Sequence, residues 1–105
     1  MAIKQETLLN AVTVTGAGAA RAMRDRRATV HASGTTSAGA GAATIKVQGS
    51  SDGGLTWVDI GTITLTLATT ISGDGFAIDA PWILIRGNVT AISGTTATVS
   101  LYLGN

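Results

Sequence analysis

Apolar residues in this chain recur at every second position, and the pattern returns along most of its length. Ile45 and Val47 alternate with Lys46 and Gln48, and Ile63, Leu65 and Leu67 with Thr62, Thr64 and Thr66. Ile83, Ile85 and Val89 share a parity opposite Trp82, Leu84, Arg86 and Asn88. Val99, Leu101 and Leu103 alternate with Thr98, Ser100 and Tyr102. A period of two puts one set of side chains on one face of an extended strand and the other set on the opposite face. Threonine suits the polar face, because its branched β-carbon favours extended backbone while its hydroxyl stays wet. Stretches at 9–15, 28–32, 58–60 and 76–78 read as further strands. Residues 19–27 hold good helix formers but no apolar stripe, so one short turn is the most expected there.

Turn clusters separate these stretches at 15–18, 33–43, 50–54, 72–75, 80–81 and 93–96. Seven or eight short strands divided in this way predict an all-β fold, an antiparallel β-sandwich or jelly roll, in one domain over residues 1–105. The segment 33–43 (SGTTSAGAGAA) has side chains too small to pack and reads as a flexible loop, or as a strand lying against something else. The inward set is expected to hold Ile45, Val47, Ile63, Leu65, Ile83, Ile85, Val99 and Leu101, with Trp57 or Trp82 closing one end. Ala, Thr and Gly supply 48 of the 105 positions, so large apolar side chains are few. A core that small barely offsets the ordering entropy of about a hundred residues, which favours an oligomer (a dimer or trimer) or a docked subunit over a free monomer.

Several chemistries are disfavoured by what is present. There is no cysteine, which removes disulfides and thiolate metal sites. His31 is the sole histidine, and no carboxylate stands at a spacing that would make it a triad base. The acids Glu6, Asp25, Asp52, Asp59, Asp74 and Asp79 are scattered singly over turns and strand ends, where aspartate commonly shapes the turn. Calcium held by Asp52 or Asp74 with turn carbonyls is the one metal chemistry the residue types leave open. Gly16-Ala17-Gly18 and Gly39-Ala40-Gly41 complete neither a dinucleotide fingerprint nor a P-loop. No catalytic residue, metal or cofactor is therefore expected. The longest apolar runs fall far short of the ~20 residues of a membrane helix, and residues 1–6 (MAIKQE) show no apolar signal core.

What remains is binding. Arg21, Arg24, Arg26 and Arg27 crowd four of the seven basic residues into seven positions, broken by Asp25. Such a cluster fits an acidic protein surface or phosphates, or else lies solvated. The net charge of +1 and the lack of interleaved aromatics argue against nucleic acid. Ile3, Leu8 and Leu9, mixed with Lys4 and Glu6 in residues 1–10, read as a docking arm. The run Ser50-Ser51-Asp52-Gly53-Gly54-Leu55-Thr56-Trp57 fits S-x-D-x-G-x-T-W and resembles the Asp-box of sialidase-like proteins, which there is a structural hairpin away from the catalytic residues. Here it predicts a hairpin turn built on Ser50, Asp52, Gly54, Thr56 and Trp57.

From about Thr35 to Leu103 the chain resembles small head decoration proteins of tailed bacteriophages. The resemblance rests on the Gly/Ala segment before a strand, on 46–65 (KVQGSSDGGLTWVDIGTITL) and on 80–104 (APWILIRGNVTAISGTTATVSLYLG). It implies a β-sandwich cement protein on the outside of an icosahedral shell, assembled in a bacterial host cytoplasm, with the major capsid protein as partner. Two other readings stand beside it. One is a carbohydrate- or receptor-binding module of a tail or head fibre, which would expose Trp57, Trp82 or Tyr102 for stacking. The other is a head-completion or tail protein with ring symmetry.

Overall fold

The computed structural model describes residues 5–104. Nine strands follow in order: β1 (Gln5–Val12), β2 (Gly16–Ala17), β3 (Arg21–Ala22), β4 (Arg27–Thr35), β5 (Ala38–Ser50), β6 (Val58–Leu67), β7 (Ser72–Asp79), β8 (Leu84–Thr95) and β9 (Thr98–Gly104). Among the described residues there is no helix, and residues 19–27 contribute only the short strand β3 and bends.

One sheet runs β1-β9-β4-β7 and the other β2-β8-β5-β6, with β3 also pairing β8. Every pairing is antiparallel. If β2 and β3 count as one interrupted strand, the pairings are nested: first with last, then β2/β3 with β8, β4 with β7, and β5 with β6. That nesting is a jelly roll, one of the two all-β topologies that the regular turn spacing predicts. The molecule is 17 Å along its shortest axis, as two stacked sheets about 10 Å apart require.

The core lies between the sheets. Ile45, Val47, Ile63, Leu65, Leu67, Ile85, Val89, Val99, Leu101 and Leu103 are buried at the inward parity of their strands. Thr62, Thr64 and Thr66 face out. Trp82 packs against this core and closes one end, whereas Trp57 lies half-buried on the outer face of the five-stranded sheet.

Three expectations need correction. Ile83 is 55% exposed, because Pro81 and a turn in which Trp82 N–H donates to the Ala80 carbonyl (3.0 Å) delay the strand to Leu84. Of the two readings of residues 33–43, the strand holds and the loop does not: Ser33 to Thr35 end β4 and Ala38 onward begins β5, hinged at Thr36 and Ser37. The small side chains are what permit the strand. A Cβ on Gly41 would collide with the Ser93 carbonyl oxygen, so only glycine lets β8 approach β5 there. Finally, Leu8 and Leu9 are buried in the chain's own core and do not extend as an arm. A β-bulge between Thr7 and Leu9 turns two consecutive leucines inward, which strict alternation would forbid.

Candidate functional site

The turn at 50–57 joins β5 to β6. Ser50, buried at the end of β5, donates its hydroxyl to Asp52 Oδ1 (2.7 Å) and accepts the Gly54 N–H (2.9 Å). Asp52 Oδ1 accepts the Thr56 N–H (3.0 Å), and its other oxygen accepts the Thr56 hydroxyl. Gly53 (φ 78°) and Gly54 (φ 92°) supply the left-handed backbone that brings Thr56 back over Asp52. The Thr56 hydroxyl, then the Thr56 amide and the Ser50 hydroxyl, hold the Asp52 carboxyl well below the ordinary range. Both carboxylate oxygens are thus engaged inside the turn.

Beside the turn, a polar ladder crosses the outer face of the sheet. Gln48 is paired in register with Asp59 on β6 and Arg86 on β8. Its side-chain amide donates to Asp59 Oδ1 (2.8 Å), while its carbonyl accepts Arg86 Nε–H (2.9 Å). Lys46 adds an ion pair to Asp59 at 3.2 Å. The Gln48 amide, then Lys46, lower the Asp59 pKa. The Arg86 guanidinium lies 4.2 Å from the Trp57 ring centroid, a cation–π contact that covers one face of the indole. Neither tryptophan is an exposed platform; both are half-buried, as is Tyr102.

Strand registers gather the arginines at this same end. Ser50 and Ala22 both pair with Leu84, Val58 pairs with Gly49, and Arg27 pairs with Asp79. All four arginines are exposed. Arg27 forms an ion pair with Asp79 at 3.3 Å, and Arg21 Nε–H donates to the Thr7 carbonyl at 3.5 Å. The Arg26 amide is held by the Asp25 carboxylate at 2.7 Å, which fixes the bend between β3 and β4. Arg24 and Arg26 flank a shallow depression lined by Met23, Pro81, Trp82 and Ile83. Its wall is pinned where Met23 N–H donates to the Ile83 carbonyl (3.2 Å). The arginine cluster is visible in the sequence, but its apolar neighbours are not, since the alternation alone places Ile83 inward. The nearest sequence signal is the Ala80-Pro81 turn, which in the structure runs on through Trp82 and Ile83 before the strand begins at Leu84.

The other candidates lie apart. His31 is exposed on β4, opposite Tyr102 on β9 and Gly75 on β7. Asp74 accepts the Gly75 N–H (2.8 Å). Among the described residues no three His, Asp or Glu side chains come together as a metal site. Leu8 and Leu9 are spent in the core, and Ile3 lies outside the described residues. This end of the molecule therefore sets the charged side chains of Arg24, Asp25 and Arg26 beside Met23, Pro81, Trp82 and the exposed Ile83.

No protein-family model and no curated protein matches this chain. Among solved structures, the crystal structure of PBSX exported protein XepA is similar, with a TM-score of 0.50 at 16% sequence identity. The similarity covers 96% of this chain and 36% of XepA, so the chain spans about a third of that protein's length and shares the fold of that part.

Proposed function

We propose that the chain is a non-enzymatic structural protein of a tailed-phage particle, which binds the outer surface of the capsid and stabilises it. The observation that carries this reading is the apolar depression formed by Met23, Pro81, Trp82 and Ile83, with Arg24, Asp25 and Arg26 at its rim. Exposed apolar area rimmed by charge marks a protein-binding surface. Guanidinium groups bind carboxylates with two parallel hydrogen bonds, which suits an acidic face of the major capsid protein. The segments 46–65 and 80–104, which carry the resemblance to head decoration proteins, form the strands around which this end is built. A jelly roll, which XepA's similar region shares, supplies the rigid scaffold such a clamp needs. Clamping neighbouring capsomers raises the free energy needed to separate them against internal DNA pressure, and that requires complementary surface without bond chemistry.

The test is a double Arg24→Ala, Arg26→Ala variant added to undecorated shells. The parent binds, and its binding weakens with added salt, since exposed charges are screened beyond ~8 Å at physiological ionic strength. The variant binds more weakly at low salt and loses most of that salt dependence. Equal binding by the two proteins at low and high salt overturns the assignment of this surface.

A further inference from the structure

Each sheet of this sandwich has two edges, and three of the four edges are defended. The β2 and β3 edge is two residues long in each piece. The β1 edge is crossed by the chain at Gly18, where a Cβ would strike the Leu8 carbonyl oxygen, and Arg21 reaches the Thr7 carbonyl. The β7 edge carries Asp74 and Asp79. Short strands, covering chain and charge are the usual means of preventing strand-to-strand association. The β6 edge differs. Asp59 and a bulge opposite Val47 and Gln48 defend its first residues, but 61–67 (GTITLTL) has no charge, no proline and no further irregularity. A seven-residue stretch rich in β-branched residues on an open edge is a strong template for another strand.

We propose that β6 pairs antiparallel with β6 of a second copy, about a twofold axis at Thr64, and that the protein is a dimer through this edge. The proposal is independent of the capsid reading. Ser72, on β7, donates its hydroxyl to the Thr66 carbonyl (3.0 Å), which occupies one of that carbonyl's two acceptor positions and leaves the other for a partner strand. Alternate residues of an antiparallel strand direct their backbone groups to the same side, so Thr62, Thr64 and Thr66 present theirs together. With Thr64 opposite its own copy, Thr62 faces Thr66 and Ile63 faces Leu65. Threonine then meets threonine on the outer face and apolar meets apolar on the inner one, both favourable cross-strand pairs. No like charges meet, because Asp59 falls opposite Thr69.

The register dictates the test. Thr62 and Thr66 are exposed, so their substitution leaves the core untouched. Thr62→Lys with Thr66→Lys places like charges opposite each other twice across the axis, whereas Thr62→Lys with Thr66→Glu places opposite charges there. Sedimentation velocity over the soluble concentration range, with circular dichroism to verify the fold, is expected to show a parent dimer. The double-lysine variant is expected to self-associate roughly tenfold more weakly or worse, and the lysine–glutamate variant at least as tightly as the parent. If the double-lysine variant does not fold, Thr64→Lys, which opposes its own copy, replaces it. A monomeric parent, or equal dimerisation by the parent and the lysine variant, or equal weakening of both double variants, overturns the proposal.

Discussion

Asp52 shows how much a single turn carboxylate can organise. Its oxygens draw Ser50 and Thr56 together across two left-handed glycines, and the charged form is what those donors favour. Asp52→Ala is expected to lower the urea midpoint at neutral pH. Because the folded pKa lies below the unfolded one, this contribution is complete above the ordinary carboxyl value of about 4 and is lost as pH falls from there toward the folded value. The gap between parent and variant midpoints should therefore narrow on acidification, and a gap constant with pH would contradict the assignment. Gly49 has a steric role. A Cβ there would lie 2.5 Å from the Trp82 ring and 2.8 Å from Ile60 Cδ1. Gly49→Ala is expected to cost about 1–3 kcal/mol by levering Trp82 out of its seat, read as a drop in midpoint with a shift of tryptophan fluorescence to longer wavelength. An unchanged spectrum and midpoint would show that the indole has room to move.

Strands with strict alternation could be read directly from the residues, and those with irregularities could not. Ile45 to Val47, Ile63 to Leu67 and Val99 to Leu103 lie where their period puts them. The Ser50 to Trp57 turn was equally readable, because its donors and acceptors are local in sequence. Leu8 and Leu9 escaped because a bulge depends on the partner strand, and Ile83 because a proline turn shifted the strand start by one residue. The first half of β5 escaped for a different reason. Alanine and glycine carry no periodic signal, yet Ala43 is buried and residues 41–43 pair with β6, with Ala42 and Ala43 also pairing β8. Its order comes from neighbours distant in sequence, not from its own propensity. Hydrogen exchange measures this directly. The ladder amides of 42–46 are expected to exchange as slowly as those of 98–103, and rapid exchange at 42–43 would restore the flexible-loop reading.

Taken whole, the jelly roll sorts its surface into distinct regions. The ends of β3, β5 and β7 and the starts of β4, β6 and β8 meet at one end, where the Asp52 turn and the Arg86–Gln48–Asp59 ladder make a stiff support. On that support stand Arg24, Arg26, Pro81, Trp82 and Ile83, positions that the nested topology brings together from two separate connections. The β6 edge lies along a side of the sandwich and leaves that end open, so the proposed self-pairing and the proposed docking call on different surfaces. In the proposed function the arginine-flanked end faces a phage shell from outside. An electron cryomicroscopy map of a particle carrying the protein is the decisive test. Sandwich-shaped density is expected to repeat over the outer face of the capsid, with the turns at 23–26 and 80–83 against the capsid protein. Density confined to the tail or to a single vertex ring, or outer density with those turns pointing into solvent, would contradict it.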